Sequence, residues 1–335
     1  MKMKKHPVAK KAKSVIKHEP VLHKPVLELG MLASRAESVS HTLELAGSKL
    51  ESADSAFAGS LENRIVVSSN VSSASECVHK RLPVIFASNT DPMLERDKGA
   101  MIFLPESNQE FLDDILRCHK ISETVMLPSV VALPRDITEN VIVPSEQSIE
   151  SFLGKYSIPF KIDFKNPSLL AVNAKNGQEI HAALNQSKAV IEKTNETWHK
   201  KFHRGESFVE LVNVEDAELI IITYGQNSTT IKSVVDAMRN DQEKPVKVGL
   251  ARIHVLRPWP EESLSQIPAN AKIAVIDFVP SLGASGILYT EIKSTLPNKH
   301  ISSFIAPDRL LSSQEIKEII IELSKQDAPQ KLWLE

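Results

Sequence analysis

The residues able to do chemistry in this 335-residue chain are few, and most lack the neighbours that would put them to work. His199 and His203 stand four apart on a helical pattern, a spacing that lets two imidazoles reach one metal ion. No third ligand accompanies them, and exposure at a helix end is the competing reading. Cys77 and Cys118 are the only two cysteines, far apart and outside any C-x-x-C pair. By itself the chain therefore builds neither an iron–sulfur cluster nor a structural zinc site. Cys118 falls inside the helical pattern Gln109 to Glu123 and reads as a buried, inert thiol. Arg257, just before Pro258, is expected at the carboxyl end of a strand, where it can meet a ligand phosphate, an ion-pair partner or another subunit. Asp277 ends an otherwise apolar strand and is expected to be satisfied by turn amides. Glycine is scarce, 11 residues in all, with none between Gly59 and Gly99. There is no G-x-G-x-x-G and no Walker-type loop, so a self-contained diphosphate cradle is not expected.

The elements that position these residues follow from hydrophobic periodicity. Lysines 2, 4, 5, 10, 11, 13 and 17 precede the first acid, Glu19, and predict a solvated, disordered basic tail over residues 1–20. The tail lacks arginine and no apolar stretch follows it, which disfavours a transit or a signal peptide. From Val26 to Leu61, apolar residues such as Leu29, Leu32, Leu43, Leu45 and Leu50 recur at helical spacing and predict helices. Arg64–Val67, Leu82–Phe86, Met101–Leu104 and Met126–Leu133 read as buried strands. Helical patterns around Ala74 and Val78, and from Asn108 to Glu123, alternate with them, which predicts a parallel sheet over residues 21–145. Residues 146–206 read as a link that packs across both domains: a short helix Ser148–Tyr156, an extended connector Pro159–Pro167, and a long amphipathic helix Glu179–Phe202, whose Trp198 and Phe202 present a large apolar surface that needs cover and argue against a loosely attached spacer. Residues 207–327 read as a second α/β domain. Its strands are Ala217–Thr223, Val246–Val255, Lys272–Phe278 and His300–Ile305, and its helices run to Met238, from Ile287 to Leu296 and from Ser313 to Leu323. About four or five mainly parallel strands between helical layers are expected.

Composition narrows function. A net charge of −2 gives no overall field to recommend nucleic acid as a partner. No window approaches about 18 consecutive apolar residues, so no membrane span is expected.

The motifs of the second domain carry a family resemblance. Thr197 to Arg204 followed by Val214 to Glu218, Tyr224-Gly225-Gln226 after a strand, Arg257-Pro258-Trp259-Pro260, and Asp277 with Gly283 and Gly286 fall in order over about a hundred residues. This run resembles the second domain of the α subunit of 2-oxoacid:ferredoxin oxidoreductases, the thiamine-diphosphate enzymes typified by pyruvate synthase. That domain is itself similar to the C-terminal domain of transketolases. Arg81-Leu82-Pro83-Val84, Asp91 to Gly99, Asn108 to Glu110, and Ser122-Glu123 with Leu127-Pro128 resemble the framework of the same subunit's thiamine-diphosphate-type domain.

The resemblance implies two three-layer α/β/α domains, a degenerate thiamine-diphosphate-type pyrimidine domain and a transketolase C-terminal-like domain. It implies a cytoplasmic complex that decarboxylates pyruvate or a related 2-oxoacid oxidatively to acyl-CoA. Thiamine diphosphate, Mg2+ and iron–sulfur clusters are expected on partner subunits, a β subunit and a cluster-bearing subunit, with ferredoxin and coenzyme A as further partners. None is expected to be bound by this chain alone, nor is the chain expected to be active alone. The departures are chemical. The family's substrate-threonine segment has no counterpart, its T-S-S-x-G loop is reduced to Ser68-Ser69-Asn70, and its Asn-Arg, whose arginine pairs with the substrate carboxylate, reads Asn89-Thr90. Its D-G-F turn reads Leu133-Pro134-Arg135 and its G-L-G-G turn Ala306 to Arg309. The glutamate that activates the cofactor's aminopyrimidine has only Glu28, Glu37 and Glu44 as stand-ins, each expected to be a solvated helix residue. No catalytic residue is carried over. Arg257, Trp259, Asp277, Gly283 and Gly286 are instead the candidate interface set. A non-catalytic structural or interaction subunit, or a stand-alone pseudoenzyme, is the alternative.

Overall fold

The structure, a computed structural model, describes residues 29–33, 35–51, 59–60, 62–68, 74–134, 138–158, 177–205, 207–297, 299–307 and 309–334. The basic tail, the connector Pro159–Pro167, Glu28, Ser69, Asn70 and Arg135 lie outside them. In chain order the first half comprises β1 (Leu29–Ala33), α1 (Arg35–Ala46), β2 (Lys49–Glu51), β3 (Ile65–Ser68), α2 (Ala74–His79), β4 (Ile85–Ser88), a 3-10 turn (Pro92–Glu95), β5 (Met101–Phe103), α3 (Asn108–Val125), β6 (Ser129–Ala132), β7 (Glu139–Val143), α4 (Glu146–Leu153) and α5 (Gly177–Phe202). The second half comprises β8 (Val209–Val212), β9 (Leu219–Tyr224), α6 (Asn227–Arg239), β10 (Val248–Ile253), β11 (Val255–Arg257), α7 (Glu261–Leu264), β12 (Lys272–Asp277), α8 (Ile287–Thr295), β13 (Ile301–Ile305), α9 (Ser313–Lys325) and β14 (Lys331–Trp333).

Two six-stranded sheets organise these elements. The first runs β11-β5-β6-β4-β3-β2, parallel except for the β11 edge. Its central strands are buried along their length, hence the unbroken apolar runs. The second runs β14-β13-β12-β9-β10-β8, with β8 antiparallel at one edge. It therefore has six strands rather than four or five. The two extra ones are three- and four-residue edge strands, too short to leave a periodic signal.

Two further expectations are corrected. Leu29 and Leu32 lie in β1, which pairs antiparallel with β7, and Leu50 lies in β2; a few apolar residues at i, i+3 fit a helix by coincidence, and strand pairing decides. The run Val246–Val255 is not one strand. It forms β10 in the second sheet, breaks at His254, and continues as β11 on the edge of the first, where Val255 pairs with Phe103.

Local signals fix both ends of α3, the helix that faces the second domain. The Ser107 side chain accepts from the Glu110 amide and caps its start. At its other end Met126 adopts a left-handed conformation, and Arg81 donates to the carbonyls of Val125 and Met126, both at 2.9 Å. The Arg-Leu-Pro-Val motif is thus a helix-capping device. Helix α5 lies along α3 and reaches the second domain through Lys188 on Glu262, 2.9 Å. Its Trp198 is fully buried, edge-to-face with Phe152 and tilted against Phe202. Among the described residues no helix is long and apolar enough to cross a membrane.

Candidate functional site

The carboxyl ends of strands from both sheets open on one cleft of about 180 Å3. The first domain contributes Ser88 to Pro92 after β4, Leu104 and Pro105 after β5, and Ala132 to Pro134 after β6. The second contributes Tyr224 to Asn227 after β9, Phe278 after β12, and Arg309 and Leu310 after β13. Open α/β sheets bind ligands at this end, because loops and helix termini converge there. The segments that depart from the family's pattern, Asn89-Thr90, Leu133-Pro134 and Arg309, all lie on its wall.

Asp91 on the cleft wall and Asp277, next in sequence to the lining residue Phe278, are both tied to the fold. Asp91 caps the 3-10 turn by accepting from the Met93 amide at 2.9 Å, and takes the Tyr224 hydroxyl at 3.0 Å. Burial first, and Asp91 second, raise the Tyr224 phenol well above its ordinary range. Asp277 is fully buried and accepts from the amides of Leu288 (3.0 Å) and Tyr289 (2.8 Å), so it holds the first turn of α8. Burial pushes its carboxyl up to about 7, against the pull of those two amides and with a further push from Asp91. Gly286 is required here: a Cβ on it would come within 1.8 Å of Asp277 Oδ2. Gly283 turns the same loop at φ +81°. The Asp…Gly…Gly motif is therefore a strand-to-helix turn.

Arg257 and Trp259 do not line this cleft. Arg257 Nη2 donates to Glu291 Oε1 at 2.7 Å and its Nε to the Arg96 carbonyl at 3.1 Å, bridging the two domains. Trp259 is half-buried and its indole N–H donates to Thr295 Oγ1 at 2.8 Å. His199 and His203 are exposed at the end of α5, and among the described residues no group of three metal-ligating side chains is assembled. Cys118 is fully buried, and burial raises its thiol well above the usual value. Glu37 and Glu44 sit exposed on α1.

The residues the sequence reading missed form a buried ionic layer between the domains. Arg252, on β10 and inaccessible to solvent, grips Glu110 of α3 with two bonds (2.9 and 2.8 Å) and Glu210 of β8 at 2.5 Å. Lys232 joins Glu106 to Glu210. Burial alone would raise the Glu110 carboxyl; Arg252, then His254 and the Glu106 amide, bring it down to about 2. Two residues on, His254 Nε2 lies 2.9 Å from Asp114 of α3 and its Nδ1 3.1 Å from the Ser207 carbonyl. Arg117 completes this group on Asp114. Arg252 and His254 share one strand face, and both reach the same helix of the other domain.

Thiamine diphosphate is the cofactor the family implies, and the described residues of this cleft do not make a site for it. Its diphosphate needs a cradle of closely approaching amides, and Gly225 is the only glycine on the wall. Its aminopyrimidine needs a carboxylate, and Asp91, the only one on the wall, is engaged by Tyr224 and the Met93 amide.

Comparison with known proteins agrees with the architecture. The family profile "Pyruvate flavodoxin/ferredoxin oxidoreductase, thiamine diP-bdg" matches residues 79–202, and "Pyruvate:ferredoxin oxidoreductase core domain II" matches residues 217–309. The chain is 32% identical over 251 residues to pyruvate synthase subunit PorA of Methanothermobacter thermautotrophicus, covering 70% of this chain and 65% of that one. To PorA of Methanocaldococcus jannaschii it is 31% identical, covering 75% and 68%. To ketoisovalerate oxidoreductase subunit VorA of Pyrococcus horikoshii it is 31% identical, covering 64% and 57%. The chain thus spans about two thirds or less of the length of these relatives. A solved 2-oxoglutarate:ferredoxin oxidoreductase from Magnetococcus marinus shares the fold at a TM-score of 0.63 and 10% identity, over 88% of this chain and 65% of that one. With the paired sheets, the shared cleft and the two profiles in sequence order, the chain belongs to the 2-oxoacid:ferredoxin oxidoreductase α-subunit family.

Proposed function

We propose that this chain is the α subunit of a complex that oxidatively decarboxylates pyruvate or a related 2-oxoacid to an acyl-CoA and passes the electrons to ferredoxin. One observation carries the reading: the matched segments Asp91-Pro92 and Tyr224-Gly225-Gln226, from different domains, meet at the carboxyl ends of two sheets to form one cleft, together with the positions that depart from the family's pattern, Asn89-Thr90, Leu133-Pro134 and Arg309. What that cleft holds supports a division of labour between subunits. With one glycine and one engaged carboxylate on its wall, it contributes shape and hydrogen bonds. A β subunit carries thiamine diphosphate and Mg2+, and a cluster-bearing subunit takes the electrons, since the two buried cysteines here cannot ligate a cluster. Residues 21–145 and 207–327 act as the two working domains, with 146–206 as the brace between them. The test is co-expression with the β and cluster-bearing subunits, followed by size-exclusion chromatography with light scattering. A stable hetero-oligomer with stoichiometric thiamine diphosphate in the complex and none in the isolated chain is expected. Elution of the chain by itself would remove the proposal.

A further inference from the structure

The second sheet ends in an open edge. β14 pairs with β13, and among the described residues no strand lies on its other side. The ladder decides which backbone groups face outward. The Ser303 amide donates to the Gln330 carbonyl and the Leu334 amide to the Ile305 carbonyl, both at 2.8 Å. Backbone groups two residues apart point the same way, so those of Gln330, Leu332 and Leu334 turn to β13, and those of Lys331 and Trp333 turn outward. Donors and acceptors thus stand in line on an exposed edge, a template for another strand. The side chains alternate between the two faces of the sheet. Lys331 and Trp333 share the face of α8, where the Lys331 ammonium sits 5.3 Å from the centre of the Tyr289 ring. Leu332 and Leu334 share the other, half-buried against the core. Trp333 is 55% exposed, a large apolar surface on the edge itself.

We propose that this edge pairs with the same edge of a second copy of the chain, antiparallel about a twofold axis at Leu332, so that two sheets join into one. Self-complementarity selects the occupant, because a twofold contact sets each residue against its counterpart's neighbour and the reverse. With Leu332 opposite its own mate, Lys331 of each copy stands directly opposite Trp333 of the other. These are the outward-facing positions, so each Lys–Trp pair exchanges both of its N–H···O bonds. On the α8 face each ammonium, already over Tyr289, gains the indole of the second copy as another ring. On the opposite face the two Leu332 side chains meet. Moving the axis to Lys331 would instead oppose like charges.

The contact is small, so association at micromolar chain concentration is expected. Sedimentation equilibrium of the full-length chain, from about 1 to about 200 µM, is expected to show the mass rise from monomer to dimer. Trp333→Lys sets lysines opposite each other across the axis and is expected to weaken the dimer by about tenfold or more. The melting temperature at low chain concentration stays in place, since the position is exposed. Adding Lys331→Glu to Trp333→Lys places opposite charges across the axis and is expected to regain most of the lost affinity. A chain that stays monomeric over the whole range, a dimer that Trp333→Lys leaves unchanged, or a double variant that associates no more tightly than Trp333→Lys overturns the proposal.

Discussion

Replacing Arg252 by methionine tests whether the buried ionic layer holds the two domains as one unit. Arg252 has no solvent exposure and faces Glu110, Glu210 and, at 3.6 Å, Glu106. Glu110 shows the scale of the charge balance, as the net of burial, which raises its carboxyl, against Arg252, His254 and the Glu106 amide, which lower it. Its carboxyl falls from 4.5 to about 2, and a difference of roughly two and a half units corresponds to about 3 kcal/mol. A carboxyl held below its unfolded value stabilises the fold above pH 4.5 and loses that contribution as pH falls through about 2. Arg252→Met removes the main counter-ion and leaves three carboxylates in a largely dehydrated layer, with Lys232 still paired to Glu106 and Glu210 and the Glu110 carboxylate without its guanidinium. Breaking one partner of a buried pair costs about 3–5 kcal/mol, so the melting temperature at neutral pH falls by roughly 10 °C. Differential scanning calorimetry is the assay, with Glu110→Gln and the double variant completing the cycle. Because the double variant also removes the stranded charge, it recovers at least about 1 kcal/mol relative to the sum of the single losses. A loss below about 1 kcal/mol in Arg252→Met, or strict additivity in the cycle, refutes the reasoning.

Asp277, raised to about 7 against an ordinary value of 3.8, binds its proton more tightly in the folded state, so its contribution is full below pH 3.8 and is lost as pH rises through 7. Asp277→Asn therefore flattens the fall in stability between pH 4 and 7, read by urea unfolding at several pH values, although it lowers stability overall by spoiling one of the two amide bonds. An unchanged slope rejects the assignment. Trp259→Ala removes a half-buried indole and its bond to Thr295, and is expected to cost about 2–3 kcal/mol in thermal unfolding or to weaken subunit association in sedimentation. An unaltered Tm and unaltered association would show that the residue anchors nothing.

Much of this architecture was legible because buried parallel strands leave continuous apolar runs. Met101–Phe103 and Leu219–Tyr224 could be placed within a residue or two, and Asp277 could be read as a turn-satisfied carboxylate. What could not be read was which sheet a strand would join. Val246 to Arg257 is one apolar run, and only the third dimension shows that it changes sheets at His254. The ionic layer left a signal that went unused: Arg252 and His254 are polar residues two apart in an apolar strand, and buried polar groups need partners. Their acids, Glu110 and Asp114, are over 130 residues away in sequence and look like the polar face of an amphipathic helix. The cleft is a different case. Its framework motifs are visible in sequence, but the wall is assembled from the ends of six strands, and no local pattern shows that Thr90 and Arg309 share it.

The central claim is that this chain is an oxidoreductase subunit whose cleft has lost the substrate-carboxylate contact, and restoring that contact tests it most directly. Thr90 stands on the cleft wall where the family resemblance places the substrate's arginine. The measurement is kcat/KM for 2-oxoacid-dependent ferredoxin reduction by the complex reconstituted with its β and cluster-bearing subunits, for the native chain and for Thr90→Arg. One lost contact of this kind slows catalysis by about 10²–10³-fold, so slow, partner-dependent turnover is expected from the native chain. Thr90→Arg is expected to raise kcat/KM by about tenfold or more, and Glu37→Gln and Glu44→Gln to leave it unchanged. Fast native turnover that Thr90→Arg lowers, or that either glutamate substitution abolishes, would contradict the account.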